Sequence, residues 1–560
     1  MRLRNLLAGC GGALAAVLAA TSASAATSCE DLANFKAANL TITGAQPVTA
    51  LATVAANLAQ AQLAAPFCRV QGFIAPTKDS HIGFEVWLPQ PDRWNGKFQA
   101  VGNGGFLGQI NYRAILPGLN RNYATLTSDL GHINKGGAED ATWALGHPEK
   151  VIDYAYRGQH ESVMAAKQIV AAYYGGAPKH SYFTGCSAGG ISGLTELLRY
   201  PNDFDGYVIG DAVADHLGQE MGALWNTLEA SLKTPAEAIQ PAQIPLIHKA
   251  VLTQCAGKDG GLASDPFLTD PRACKVDLRV LQCKAGQAKD SCLSTAQIAI
   301  VQKVFKGPVD PKTGQQILMG INPGAELTWD RYFTGKKNPA TADRPWGGFL
   351  MYMAYQDPDY LPGQKYLTFD FDKDYQALMK RVVAGEPLDA SWNTRNRNLD
   401  AFRSAGGKII QYHGWDDPNI PALEAIRFQA SLRADIAQRH KLSPGQALAA
   451  QDSFHRLFMV PGMGHCTGGD GPWSFGQNAS NRIDADPQTD TLAALERWVE
   501  TGPAPERFVG SRIDAKTNKA DLTRPICVFP KIAAYKGSGD VNAAANFACV
   551  VAKPQRQAKK

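Results

Sequence analysis

The chain reads as an α/β protein with a mostly parallel sheet and one long interruption, and three features of the sequence say so. Short strand-like runs alternate with helical periodicity through residue 214. The alternation dissolves between residues 215 and 395, a stretch with four cysteines, several Pro/Gly breaks and clustered aromatics. It then resumes from residue 396 towards the C-terminus. Residues 26–214 and 396–560 therefore form one α/β domain, and residues 215–395 form a lid inserted into it.

Each element follows from its residues. After an N-terminal arm between Cys29 and Cys68, residues 81–88 alternate, with Ile82, Phe84, Val86 and Leu88 on one face. Residues 97–101 form a strand that runs into Gly102-Asn103-Gly104-Gly105-Phe106, and residues 123–128 form another. Residues 151–174 are helical, because Ile152, Tyr156, Val163, Ala166, Val170 and Tyr173 fall on one stripe. Strand 181–184, the turn Gly185-Cys186-Ser187-Ala188-Gly189-Gly190, helix 191–200 and strand 207–210 follow. Beyond the insertion come strands 408–412 and 456–460 and a helix over 490–500. Trp329, Tyr332, Phe333, Trp346, Phe349, Tyr352 and Tyr355 in the insertion are expected mostly in a core, with some lining a cleft.

The first 25 residues have the form of a secretory signal peptide. Arg2 and Arg4 precede an apolar stretch too short to span a bilayer, and Ala23-Ser24-Ala25 offers a cleavage site. Cleavage after Ala25 would remove Cys10 and leave ten of the eleven cysteines, an even number suited to an oxidising compartment. It would also remove Arg2 and Arg4, taking the formal charge from +5 to +3. With no basic stripe and no later membrane-length segment, neither nucleic acid nor membrane is an expected partner. The expected location is periplasmic or extracellular, and the sequence names no partner protein.

The residues that carry chemistry occur in order. Gly185-Cys186-Ser187-Ala188-Gly189 matches G-x-S-x-G, a strand-to-helix turn that exposes the Ser187 hydroxyl. The strand over 408–412 leads into His413-Gly414-Trp415-Asp416-Asp417, where a carboxylate partner belongs, and His465 lies just past the last strand. A triad of Ser187, Asp417 and His465 then needs only loops at one sheet edge: His465 takes the Ser187 proton and the carboxylate orients the imidazole. Taken singly, Asp416 or Asp417 could instead cap a turn and His465 could be an ordinary loop histidine. Ala188 and the Gly104–Gly105 segment would supply the N–H donors of an oxyanion hole, although a plain glycine turn explains the latter segment equally well. Cys186 adjoins Ser187 and Cys466 adjoins His465, so a bond between them would hold nucleophile beside base.

Gly-Cys-Ser-Ala-Gly-Gly, Tyr-His-Gly-Trp-Asp-Asp-Pro and Gly-Met-Gly-His-Cys together resemble the tannase/feruloyl esterase family of α/β hydrolases. Gly-Asn-Gly-Gly-Phe, Tyr-Pro-Asn-Asp-Phe-Asp-Gly and the cysteine-rich insertion fit it as well. The resemblance implies an α/β-hydrolase fold with the lid between nucleophile and acid. It also implies a serine carboxylesterase for small aromatic esters of the gallate or ferulate type, with terephthalate monoesters or a non-catalytic phenolic-binding role as alternatives. It selects Asp417 over Asp416 as the acid and Cys186–Cys466 as the tying disulfide. The other pairs it implies are Cys29–Cys68, Cys255–Cys274, Cys283–Cys292 and Cys527–Cys549. No cofactor is needed for the chemistry. The family often holds Ca²⁺ between the cysteines matching Cys255 and Cys274, where Asp259 and Asp265 would be ligands and Asp270 lies near. Here Ala256 replaces a usual acid, and the loop is two residues longer. Arg331 and Arg344 are candidates for a substrate carboxylate, with solvated surface positions as the alternative.

Overall fold

The computed structural model describes residues 27–332, 334, 345–477 and 485–552. The leader over 1–25, Phe333 and Arg344 lie outside these residues. Nine strands form one sheet: β1 (Leu40–Val48), β2 (Phe67–Ile74), β3 (Ile82–Pro89), β4 (Lys97–Val101), β5 (Ala124–Ser128), β6 (His180–Cys186), β7 (Gly206–Gly210), β8 (Lys408–Gly414) and β9 (His455–Val460). Their order is β1-β2-β3-β5-β4-β6-β7-β8-β9. Every pairing from β5 across to β9 is parallel. The three pairings that join β1, β2, β3 and β5 are antiparallel.

Helices cover both faces, so the central strands are buried on each side. The covering helices are α1 (Tyr112–Asn120), α2 (Gly158–Tyr174), α3 (Ala188–Arg199), α5 (Leu423–His440) and α6 (Thr491–Thr501), whereas α4 (His216–Thr227) packs with Phe349 and Trp392 instead. Adjacent β6 residues point to opposite faces, as the two-residue period requires. Phe183 joins Val163, Ile169, Leu194, Leu197 and Leu432 of α2, α3 and α5. Tyr182 joins Leu492, Leu495 and Trp498 of α6. Burying each such side chain contributes roughly 1.5–3 kcal/mol, and these two layers hold the sheet in place beneath the site.

Two regions differ from the sequence reading. The N-terminal arm is part of the sheet: β1 pairs antiparallel with β2 as an edge strand, with a register shift between Ile42 and Gly44. Its alternation is faint because an edge strand tolerates Gly44 and Pro47, which an inner strand would exclude. At the C-terminus two further hairpins form, β10 (Arg507–Ile513) with β11 (Ala520–Cys527) and β12 (Lys531–Tyr535) with β13 (Phe547–Val551). The alternating face of β3 was legible, but its other face is also buried. There Glu85 accepts hydrogen bonds from Arg69 Nε at 2.8 Å, Arg69 Nη2 at 2.6 Å and Tyr112 Oη at 2.9 Å.

Between β7 and β8 the chain adds no strand to this sheet. Ala230, Ile247, Leu293, Val301 and Trp329 pack in a core of their own. Leu217, Met221, Trp346, Phe349 and Trp392 pack instead with Phe106, Leu130, Val151 and Tyr154, which precede the insertion. Arg524 Nη2 of β11 donates to Asp265 Oδ1 at 2.8 Å, fastening a C-terminal hairpin to the insertion. Among the described residues, no helix is long and apolar enough to cross a membrane.

Candidate active site

The C-terminal ends of β6, β7 and β8 and the turn after β9 meet at one edge of the sheet. Ser187 stands between β6 and α3 with φ +61° and ψ −131°, a conformation costing about 1–3 kcal/mol for a residue other than glycine. The strain is therefore in the serine, while the flanking glycines serve close approach. A Cβ at Gly185 would stand 2.4 Å from Gly189 O, and one at Gly189 would stand 2.7 Å from Asn103 O. The structure brings the three predicted residues together. His465 Nε2 is 2.7 Å from Ser187 Oγ, and His465 Nδ1 is 2.8 Å from Asp417 Oδ2. Asp417 Oδ1 accepts the backbone N–H groups of Asn419 at 2.8 Å and Ile420 at 3.0 Å, which fix the carboxylate. Asp416 belongs to different surroundings: burial, with Glu326 and Asp470 nearby, pushes its carboxyl well above the usual range.

Ser187 and His465 open onto a cavity of about 930 Å³ that Gly104, Gly105 and Ala188 also line. Ala188 begins α3, so its N–H has no partner within the helix. A Cβ added to Gly104 would meet nothing within 4 Å, whereas one at Gly105 would strike Ala138 O at 2.4 Å. Tyr332 lines the cavity with its ring edge-on to His465, centroids 6.2 Å apart, and Arg331 lines it too. Trp329, Trp346 and Phe349 are core residues instead, each wholly buried.

Two buried residues beside the triad escaped the sequence reading. Asp211, directly after β7, accepts the N–H of Gly414 at 2.9 Å through Oδ1 and that of Cys466 through Oδ2. It thereby joins the ends of β7 and β8 to the His465 turn. His413, wholly buried in β8, makes a 2.9 Å hydrogen bond through Nε2 to Ile420 O and lies 3.6 Å from Asp417 Oδ2. The available signal was positional: an acid immediately after a buried strand, at the edge where Ser187 also emerges.

The charges are interdependent. Burial disfavours the Asp417 carboxylate, but the His465 charge, the hydrogen bond from His465 and the nearby His413 imidazole hold it below the usual carboxylate range. Burial likewise disfavours imidazolium at His465, yet the adjoining Asp417, with Asp211 adding to it, raises its pKa above that of free imidazole. Burial pushes the Asp211 carboxyl up, with His413 opposing.

All five expected disulfides are present: Cys29–Cys68, Cys186–Cys466, Cys255–Cys274, Cys283–Cys292 and Cys527–Cys549. The second joins residues 280 positions apart, with Cα atoms 6.0 Å apart. The loop between Cys255 and Cys274 fits calcium poorly as folded. Asp259 Oδ1 accepts Gly261 N–H at 3.2 Å and its Oδ2 accepts that of Thr269, while Asp265 pairs with Arg524. Asp270 pairs with Arg272 at 2.6 Å. Among the described residues no group of three acidic, His or Cys ligands gathers there.

Fold and site geometry are those of an α/β hydrolase. The chain belongs to the tannase and feruloyl esterase family, whose model matches residues 68–550. It is 37% identical over 545 residues to an uncharacterised esterase of Xanthomonas campestris, covering 95% of this chain and 92% of that one. It is 30% identical over 488 residues to a probable feruloyl esterase B-1 of Aspergillus flavus, covering 86% of each. Feruloyl esterase B from Aspergillus oryzae superposes with a TM-score of 0.80 at 27% identity, covering 93% of this chain and 99% of that one. Tannin acyl hydrolase from Aspergillus niger shares the fold at a TM-score of 0.67 and 20% identity, covering 91% and 92%. The protein is a carboxylic ester hydrolase with a small-molecule ester as substrate.

Proposed function

We propose that this esterase is exported and hydrolyses small aromatic esters through an acyl-enzyme on Ser187. The observation that carries the reading is the unbroken chain Ser187–His465–Asp417, at 2.7 and 2.8 Å, opening on the cavity. The feruloyl esterase names of several relatives support an aromatic acyl group. Five disulfides support an oxidising destination.

In this mechanism His465 Nε2 removes the Ser187 proton as Oγ attacks the ester carbonyl. The developing oxyanion is stabilised by the N–H of Ala188 and a backbone donor from Gly104–Gly105. Collapse expels the alcohol, which receives the proton held by His465. Water, activated by the same nitrogen, then releases the acid and restores Ser187. Asp417 holds the imidazole in the tautomer that presents Nε2 to the serine and stabilises imidazolium. The insertion, residues 215–395, acts as a lid that supplies one wall of the acyl pocket.

A rate panel tests this reading, using methyl gallate, methyl ferulate, chlorogenate, mono(2-hydroxyethyl) terephthalate and a short aliphatic nitrophenyl ester. Aromatic esters are expected to turn over best, and Ser187→Ala should lose roughly a thousandfold or more. Near-normal turnover by Ser187→Ala, or no labelling of Ser187 by a fluorophosphonate, would refute the acyl-enzyme. Turnover of the aliphatic ester alone would reject the aromatic substrate and keep the triad.

A further inference from the structure

The glycine loop after β4 spends most of its donors on the protein. Gly102 N–H donates to Thr184 O at 3.1 Å, Phe106 N–H to Ala138 O at 2.7 Å and Leu107 N–H to Gly104 O at 3.2 Å. The N–H groups of Gly104 and Gly105 have no acceptor among the described residues, and both glycines line the cavity that holds Ser187. They are therefore the donors this loop can offer an oxyanion. Consecutive glycines are also the least constrained backbone a chain can make, so something outside the loop has to fix where those donors point.

Tyr154 is placed to do so. Its Oη donates to Gly105 O at 2.8 Å, while the N–H on the other edge of the same peptide is held by Ala138 O. A planar peptide gripped at both edges cannot turn, and the adjoining Gly104–Gly105 peptide is gripped through Gly104 O. The Tyr154 ring itself is wedged among those of Phe106 at 5.8 Å, His132 at 5.8 Å, Trp143 at 5.7 Å and Trp392 at 5.7 Å. Burial pushes its hydroxyl well above the usual phenol range, so it stays a donor. The residue stands in a single π-helical turn, Asp153–Arg157, a widening frequent at functional sites.

We infer that Tyr154 is a positioning residue of the oxyanion hole, its hydroxyl holding Gly105 O so that the Gly104 and Gly105 N–H groups stay aimed at the ester carbonyl oxygen. The inference rests on the acyl-enzyme reading above and adds to it a residue that exchanges no proton. Donors fixed beforehand need not reorganise as charge develops on that oxygen. A loosened loop loses little against the neutral carbonyl of the bound ester and much more against the oxyanion, so the loss falls on kcat rather than KM.

Tyr154→Phe tests this, since it keeps the ring and removes only the hydroxyl. Rates are taken on the best ester of the panel above, per Ser187 titrated with a fluorophosphonate, so that misfolded protein does not count. Both kcat and kcat/KM should fall roughly tenfold with KM unchanged. A trifluoromethyl ketone carrying the same acyl group provides a second readout. Ser187 Oγ adds to its carbonyl carbon, the serine proton passes to His465, and the carbonyl oxygen becomes the oxyanion. Its inhibition should weaken by the same factor. Calorimetry should find that the intact ester binds Ser187→Ala equally well with and without Tyr154→Phe. Unchanged kcat and ketone inhibition would overturn the inference. So would a loss of ester affinity as large as the loss of ketone inhibition, which would make Tyr154 a pocket wall. Failure of the acyl-enzyme reading looks different: Ser187→Ala alone would then turn over the ester like the wild-type chain.

Discussion

At the scale of single residues, the site depends on a second acid as well as the one the sequence revealed. Asp211 adds negative charge beside His465 and accepts hydrogen bonds from Gly414 and Cys466. In the proposed mechanism His465 must be neutral to take the Ser187 proton, so kcat/KM is expected to fall as pH drops through its pKa. That pKa is raised by Asp417 first and by Asp211 in addition. Asp211→Asn removes the second contribution, so the acid limb of the kcat/KM profile should move to lower pH. The amide also turns an N–H towards one of the two backbone donors, costing about 1–3 kcal/mol of stability. A limb that stays in place, or shifts to higher pH, would show that Asp211 acts through packing alone. Ser187, His465 and Asp417 were legible because their chemistry imposes residue types and an order on the chain. Asp211 was not, since nothing in Gly-Asp-Ala reveals that β7 and β8 lie side by side.

Elements make a different demand, which is that loops hundreds of residues apart arrive in register. The turn before Ser187 and the turn carrying His465 follow β6 and β9, which are separated in the sheet by β7 and β8. Only Cys186–Cys466 joins those turns covalently. Replacing both cysteines by serine leaves the sheet pairing intact, while freeing the His465 turn to drift. A misplacement of about 1 Å can cost roughly a hundredfold in rate. The double variant is therefore expected to lose far more of its kcat/KM than of its melting temperature, measured on one preparation. Parallel loss of both would make the bridge a general staple. The central strands were legible from their apolar runs, whereas β1 and the C-terminal hairpins were hidden by polar edge positions.

For the whole molecule, stability is spread over several cores, with ionic groups buried between them. Arg69 and Glu85 are both almost wholly enclosed, and Glu85 also accepts from Gln71, Trp87 and Tyr112. Burial and the neighbouring Glu85 push the Tyr112 hydroxyl up to about 12, so it remains a donor. Glu85→Leu strands the Arg69 charge and should cost about 3–5 kcal/mol in chemical denaturation. Adding Arg69→Met should recover a large part of that loss. If the double variant were no more stable than Glu85→Leu alone, an uncompensated charge could not be the cause. The insertion shows the limit of sequence reading at this scale. Its aromatics announced burial, but its split between a private core and one shared with Phe106 and Tyr154 depends on long-range contacts without local periodicity.

The distance along the chain between Ser187 and His465 also sets when the catalyst comes into being. Synthesis runs from the N-terminus, so a nascent polypeptide carries its nucleophile long before any proton acceptor for it exists. Asp417 comes next and His465 last, with Cys466 directly behind it. In the proposed mechanism a translation product that stops anywhere short of residue 465 is thus hydrolytically silent, even if β1 to β8 have paired. The bond from Cys466 to Cys186 can close only once His465 has been made, after Ser187, the insertion and Asp417 in that order.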